Sequence, residues 1–215
     1  MAQKRITVEQ AVAKIHSGMT IMFGGFLANG SANRIIDALA KSDVKDITLI
    51  CNDTAYADKG VGKLFARKQV KKVIASYVGA NELHQQQMNA NEIVTELVPQ
   101  GTLAERVRAG GCGMGGFLTP VGLGTVVEKG KQKMTVDGKE YLLEKPLRAD
   151  LALISASKGD ESGNLVYYGT SQNFNPLMAA AADLVIAEVD ELVPVGNIAP
   201  ENVRTPNILV DFIVA

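Results

Sequence analysis

Tryptophan is absent from this 215-residue chain, and cysteine and histidine occur only twice each. Aromatics make up 5% of the residues, too few for a surface that stacks the bases of a nucleic acid. Neither Cys51 nor Cys112 belongs to a CxxC pair, so no metal knuckle or disulfide framework is visible. Two thiols in a reducing cytoplasm are the expectation. Charge of one sign is also missing. The formal net charge is −1, which supplies no basic field for nucleic acid or an anionic membrane. No apolar run reaches membrane-spanning length, and Met1 to Arg5 lead into a capped helix with no signal-peptide core. Partners among nucleic acids and membranes are therefore not expected. HExxH and GxSxG patterns are lacking too.

What the chain does have is glycine, 21 residues of it. The most informative cluster is Gly24-Gly25-Phe26-Leu27-Ala28-Asn29-Gly30-Ser31, between the apolar run Met19 to Phe23 and the amphipathic segment Asn33 to Lys41. A strand that ends in glycines and reopens as a helix exposes backbone N–H groups to which a phosphate can draw close. The helix N-terminus adds a favourable field. The spacing Gly25-x4-Gly30-Ser31 resembles a phosphate-binding loop, but Ser31 stands where that motif has lysine. A ligand whose phosphates are anchored rather than cleaved fits better than a nucleoside triphosphate. A tight strand-to-helix turn with no ligand fits the same letters.

Thr7 and Gln10 form a capping-box pattern ahead of Val8, Ala11, Val12 and Ile15, with Gly18 as the stop. Strand-like runs then alternate with helix-like ones. Thr20–Phe23 precedes Asn33–Lys41, Ile47–Cys51 precedes Val61–Lys68, Lys72–Val78 precedes Glu82–Met88, and Glu92–Val98 precedes Thr102–Ala109. Short Val/Ile/Leu-rich runs between helices predict βαβ units around a parallel sheet. A glycine-dense loop spans Gly110 to Thr125. Met134–Val136, Asp137-Gly138 and Glu140–Leu143 predict a hairpin with a type I′ turn. Strands follow at Ala149–Ala156, Asn164–Tyr168, Asp183–Val189 and Ile208–Val214, with an alanine-rich helix at Asn175–Ala182. The expectation is one α/β domain over residues 1–215, an open, mostly parallel sheet flanked by helices, with a β-hairpin insertion.

Gly111-Cys112-Gly113-Met114-Gly115-Gly116 matches GxGxxG, but a dinucleotide fingerprint must follow a strand and open a helix. Here a helix precedes it and Pro120 follows soon after, so a glycine loop lining a ligand channel and a loop crossing tightly over the sheet both stay open. Pro99-Gln100-Gly101-Thr102 follows a buried-type strand. The carboxyl ends of parallel strands line the ligand crevice, which places Gln100 at the same edge as Gly24–Gly30, with Asn52, Tyr77 and Asn81 nearby. Amide donors there suit a developing oxyanion, such as a thioester carbonyl under attack. Loop caps and turns are the alternative for each, above all for Asn52 beside Asp53. A nucleophile is harder to find. His16 and His84 read as surface or helix-end residues. Cys51 closes a buried-type strand, and Cys112 in the glycine loop has no evident base. Glu161-Ser162-Gly163-Asn164 reads as a turn. Glu188, Asp190 and Glu191 read as a solvated strand end. The basic run Arg67–Lys72 reads as a solvated helix end or an attractor for an adenosine phosphate.

Several ordered blocks together carry a resemblance. They are Gly24-Gly25-Phe26 with Gly30, Asn52, Ala75-Ser76-Tyr77-Val78-Gly79, Pro99-Gln100-Gly101-Thr102-Leu103-Ala104-Glu105-Arg106, and Gly110-Gly111 on to Thr119-Pro120. Arg148-Ala149-Asp150-Leu151-Ala152-Leu153, Gly163-Asn164-Leu165 and Asn173-Phe174-Asn175 continue the series. Along nearly its full length the chain resembles the α subunit of two-subunit class I CoA-transferases, most nearly the acetate/butyrate–acetoacetate type. The resemblance implies an open α/β fold and ping-pong transfer of CoA from an acyl-CoA to a carboxylate. A glutamate attacks the thioester, giving an acyl-glutamyl anhydride, and the released thiolate converts it to a glutamyl-CoA thioester. In the family that glutamate lies in a Ser-Glu-Asn-Gly motif of the β subunit, and this chain has no such motif. By the same resemblance Gly24, Gly25, Phe26, Leu27, Ala28, Asn29 and Gly30 form the CoA-binding loop. Gln100 contacts the thioester carbonyl region, and Asn52 lines the site. Coenzyme A is then a substrate, with no cofactor needed, and the assembly is an α2β2 heterotetramer. Ala32 replaces a proline that often follows this loop, which implies a less rigid loop. A succinate/3-oxoacid or 3-oxoadipate CoA-transferase subunit, an NAD(P) oxidoreductase using Gly111–Gly116, and a CoA- or sugar-phosphate-sensing module are the competing readings.

Overall fold

The computed structural model describes residues 4–215. Helix α1 (Val8–Val12) opens on the expected capping box: Gln10 N–H donates to Thr7 Oγ1 at 3.2 Å, and Thr7 N–H donates to Gln10 Oε1 at 2.9 Å. It stops earlier than its apolar spacing predicts. Ile15 is held by a turn onto Val12, and Gly18, at φ +87°, carries its N–H to Lys45 rather than closing a helix.

The alternation of strands and helices follows as predicted. The strands are β1 (Thr20–Phe23), β2 (Ile47–Asp53), β3 (Val70–Tyr77) and β4 (Val94–Leu97). They are separated and followed by α2 (Asn33–Leu39), α3 (Lys63–Ala66), α4 (Glu82–Asn89) and α5 (Gln100–Gly111). Then come β5 (Phe117–Thr119), β6 (Lys133–Val136), β7 (Lys139–Glu144), β8 (Ala149–Asp160), β9 (Leu165–Val166), α6 (Asn175–Ala180), β10 (Ala182–Val193) and β11 (Phe212–Val214). In space the main sheet runs β11-β10-β8-β1-β2-β3-β4, every neighbour parallel, with β9 antiparallel on β8. The fold class is therefore the predicted open α/β sheet.

Both faces of the sheet's central strands are buried, which is why these read as continuous apolar runs. Edge strand β4, expected to be buried, instead leaves Val94 and Leu97 exposed because no strand pairs beyond it among the described residues. Ile21, Phe23, Leu49, Val73, Leu151 and Leu153 pack on one side with α1, α2 and α3. Met22, Ile50, Ile74, Ala152 and Ile154 pack on the other beneath α5 and α6. The strand order reverses between β1 and β8, so the crevice beyond their carboxyl ends is the switch point where open α/β sheets bind ligands.

Several strand boundaries differ from expectation, among them the short β4 and β9. β8 and β10 reach 12 residues each because their distal halves pair with one another as far as Asp160 and Val193. Ile208 lies in a 3-10 turn, and β11 begins only at Phe212. The hairpin β6–β7 turns through Asp137 at φ +50° and Gly138 at φ +74°, the type I′ signature. It belongs to a three-stranded sheet, since β5, too short and glycine-flanked to read from sequence, pairs antiparallel with β7.

Candidate active site

The glycine segment after β1 is a projecting turn. Phe26 and Asn29 exchange both backbone hydrogen bonds, at 3.0 and 2.9 Å. Between them Leu27 and Ala28 take φ +47° and +71°. This is a type I′ turn built without glycine at either central position, a conformation L-residues resist. Glycine is required at its flanks instead. A Cβ on Gly24 would lie 1.8 Å from Asn175 Oδ1, and one on Gly30 2.4 Å from the Ser171 carbonyl.

Three side chains from distant elements hold the turn. Asn173 Oδ1 accepts from Gly25 N–H at 3.0 Å, and its Nδ2 donates to the Asn29 carbonyl at 3.1 Å. Asn175 donates to the Gly30 carbonyl at 2.9 Å and accepts from Ser155 N–H at 3.0 Å. Asp53 accepts from Leu27 N–H at 3.0 and 3.2 Å. Ser31 Oγ adds a bond to the Gly24 carbonyl at 3.0 Å, and Ala32 keeps a proline-like φ of −73°. The turn is thus pinned from several sides, although the substitution at Ala32 implied a looser loop.

The phosphate cradle expected from the glycine spacing is altered in two ways. The void under the turn, lined by Gly24, Gly25, Ala28, Ser31, Cys51 and Asp53 among others, is about 10 Å³, room for one water and not a phosphate. The α2 N-terminus is also occupied. Glu188, buried on β10, accepts from Arg34 N–H at 3.1 Å and Ile35 N–H at 2.9 Å, with the Arg34 guanidinium 3.3 Å away. The field that would draw a phosphate is spent on this carboxylate. Glu188 is therefore a helix cap rather than part of a solvated strand end, while Asp190 and Glu191 are exposed. Ala28 and Gly30 keep N–H groups with no protein partner among the described residues.

Gln100 and Asn52 meet, as their shared edge predicts. Gln100, first residue of α5, donates Nε2–H to Asn52 Oδ1 at 2.7 Å. Asn52 is buried and Gln100 exposed. Asn52 in turn donates Nδ2–H to Asp53 at 2.7 Å, and Ser76 Oγ donates to both the Asn52 carbonyl at 2.7 Å and its Oδ1 at 3.1 Å. Asn81 plays another part: it caps α4, accepting from His84 N–H and donating to the Thr54 carbonyl, and is fully buried. Tyr77 is half exposed at the end of β3.

The coenzyme A transferase family profile matches residues 5–215. The chain belongs to the coenzyme A transferase family. It is 51% identical to the acetate CoA-transferase α subunit of Escherichia coli K12, covering all of this chain and 97% of that one. It is 50% identical to the acetoacetyl-CoA:acetate/butyrate CoA transferase α subunit of Clostridium acetobutylicum, covering 100% and 98%. An acyl-CoA transferase of E. coli O157:H7, solved as a thioester complex with CoA, superposes with a TM-score of 0.89 at 23% identity. The match covers 99% of this chain and 47% of that one, so the chain spans about half of that polypeptide. Glutaconate CoA-transferase from Acidaminococcus fermentans superposes at 0.85 and 19% identity over 98% of this chain and 75% of that one. These two likenesses establish the shared fold.

Within this CoA-transferase chain the titratable groups near the switch point are engaged. The Asp53 carboxylate takes N–H groups from Leu27 and Ala55 as well as the Asn52 amide. Burial, with the Asp53 charge beside it, pushes the Cys51 thiol well above its ordinary range, so it is not a thiolate nucleophile. His84 lies in the first turn of α4, the helix end expected, but it is buried rather than on the surface. It stacks on Phe65 at 4.8 Å between ring centroids, bonds Thr54 and Thr95 through its two nitrogens, and burial lowers its pKa to about 4. Cys112 is exposed, 3.9 Å from Arg108. Among the described residues no group of His, Cys, Asp and Glu has the arrangement of a metal site. No helix is long and apolar enough to cross a membrane, again among the described residues.

Two loops resolve against their more speculative readings. Gly111–Gly116 leaves α5 and enters the antiparallel β5, the reverse of a dinucleotide fingerprint. Gly110 and Gly111 are there for close packing, since Cβ atoms would sit 1.9 Å from the Leu147 carbonyl and 2.8 Å from Ala180 Cβ. Arg67–Lys72 runs from the C-cap of α3 into the first residues of β3, the expected helix end, and lies toward the opposite end of that strand from the Gln100 edge. Lys68 pairs with Glu92 and Lys72 with Glu96. Asp53, Asn173, Asn175, Ser76 and Glu188 were not marked as site residues by sequence. The Asn173-Phe174-Asn175 and Ala75-Ser76 blocks of the resemblance were the signals that touched three of them.

Proposed function

We propose that this chain is the α subunit of a short-chain acyl CoA-transferase working in the cytoplasm. With a β subunit it would move CoA between an acyl-CoA and a carboxylate, acetate or butyrate on one side and acetoacetate on the other. The names of the relatives at 51% and 50% identity support the substrate class and the partner. The observation that carries the catalytic reading is the Gln100–Asn52 amide pair at the switch-point edge. An amide NH2 has two donors. Asn52 takes one from Gln100, and the second serves a thioester oxygen as it becomes an oxyanion.

In this reading the partner's glutamate attacks the thioester carbonyl, the C–S bond breaks, and CoA leaves as thiolate from an acyl-glutamyl anhydride. The thiolate then attacks the glutamyl carbonyl, the bond from that carbon to the bridging oxygen breaks, and the acyl group departs with that oxygen as its carboxylate. A glutamyl-CoA thioester remains for the acceptor acid to open in reverse. Gln100 polarises the acyl carbonyl. The turn Gly24–Gly30 contacts the CoA handle, with Ala28 and Gly30 N–H groups as its open donors. Anchoring that remote handle raises the rate only if the energy is realised at the acyl end, which calls for a rigid path between turn and amide pair. CoA is the substrate, and the chemistry needs no further cofactor. An α2β2 assembly is the expected form.

The test is exchange between acetate and acetoacetyl-CoA, measured for this chain, for the β subunit and for the two together, with succinyl-CoA as a competing donor. Activity only in the mixture, with the borohydride-reduced thioester on the β subunit, supports the reading. Full exchange by this chain alone, or a trapped glutamate within it, overturns it. Preference for succinyl-CoA would move the assignment to the 3-oxoacid class, whose relatives are 43–44% identical.

A further inference from the structure

The Leu27–Ala28 turn and the Gln100–Asn52 pair are separate in sequence, yet they share one side chain. Asp53 is buried at the end of β2. Both of its oxygens lie within 3.2 Å of Leu27 N, and Oδ1 also accepts from Ala55 N–H at 2.8 Å. Ala55 too is left-handed, at φ +53°. Three non-glycine residues in a disfavoured conformation therefore surround this carboxylate, and two of them donate to it. Asp53 Oδ2 takes the Asn52 amide at 2.7 Å.

That last bond sets a direction. An ionised carboxylate only accepts, so Asn52 must turn its NH2 toward Asp53 and its oxygen away. Asn52 Oδ1 then faces Gln100 at 2.7 Å and Ser76 Oγ at 3.1 Å, which obliges Gln100 to present its NH2 side to this cluster. Were Asp53 able to donate, both amides could flip together and Gln100 would present an acceptor where a donor is needed.

We propose that Asp53 is a positioning residue for the transfer reaction. One carboxylate holds the left-handed Leu27–Ala28 turn and orients the Asn52–Gln100 amides, tying the place that anchors the CoA handle to the place that polarises the thioester. This rests on the function proposed above.

The experiment uses the assembled α and β chains. Asp53→Asn is expected to lower kcat by roughly tenfold or more and to raise KM for the acyl-CoA, because one of the two acceptor oxygens becomes an NH2 donor that opposes either the Leu27 N–H or the Asn52 amide. Adding Leu27→Asn with Ala28→Gly supplies a type I′ turn that stands without the carboxylate. In the Asp53→Asn background this pair should return KM toward its starting value while kcat stays low. Recovery of kcat together with KM would overturn the amide half of the proposal, and kinetics within about twofold of the parent for Asp53→Asn would overturn it all. Hydrogen exchange at Leu27 N–H gives a readout independent of turnover. It should quicken at least roughly tenfold in Asp53→Ala, which removes both oxygens and releases this amide, and unchanged exchange overturns the proposal. A parent complex with no transferase activity would count against the function, while the exchange measurement would still decide the role of Asp53.

Discussion

Gln100 and Asn52 lie 48 positions apart in sequence, and their side-chain amides meet at 2.7 Å. The parallel sheet brings them there, because the ends of β2 and β4 open on the same edge. If the exposed amide serves an oxyanion, its removal must act on the transition state more than on binding. Gln100→Ala in the assembled enzyme should lower kcat by about 100-fold, with KM for the CoA ester changing little. Steady-state kinetics at varied acyl-CoA checks this, and a rise in KM with kcat intact would assign Gln100 to binding.

Glycines of the turn should differ sharply from glycines elsewhere. Gly24→Ala places Cβ against Asn175 Oδ1, which cannot yield cheaply because Ser155 N–H bonds it. A loss of about 2 kcal/mol is expected in denaturant unfolding. Gly101→Ala, in the first turn of α5 with nothing within 4 Å, should instead add about 0.5–1 kcal/mol.

Glu188 stabilises α2 from 154 residues away. Ala32 offers no side-chain cap, so Glu188→Ala leaves Arg34 and Ile35 N–H groups without their acceptor. Stability should fall by about 2–3 kcal/mol in the same unfolding measurement. A change under about 0.5 kcal/mol would mean that water replaces the carboxylate without cost.

His84 should make the fold sensitive to mild acid. Burial lowers its pKa from 6.5 to about 4, so the folded chain binds fewer protons than the unfolded one between those values. The stability it contributes is complete above 6.5 and is lost as pH falls toward 4. Thermal midpoints across this window should decline more steeply for the parent than for His84→Gln, and equal slopes would refute the assignment.

Local chemistry made much of the fold readable. Thr7 and Gln10 announce the first helix because a capping box is complete within four residues, and Asp137-Gly138 announces its turn because only certain residues accept two positive φ angles. Strands buried on both faces betray themselves as unbroken Val, Ile and Leu runs. Gln100 and Asn52 could be placed on one edge because consecutive parallel strands present their ends together. Asp53 was hidden by its own plausibility as an ordinary turn residue. β5 was hidden by its length of three residues.

By itself the order of residues determined the alternation of strands and helices, the hairpin, and the edge on which polar side chains gather. These follow from hydrogen bonds and periodicities that close within a few positions. Only the tertiary structure decided that Glu188 would fill the α2 N-terminus, that Asn173 and Asn175 would grip the glycine turn, and that Asp53 would serve turn and amide pair at once. Each of those bonds joins elements whose nearness depends on the strand order around β1 and β8. That order is fixed by packing across the whole sheet, and no short stretch of sequence contains it.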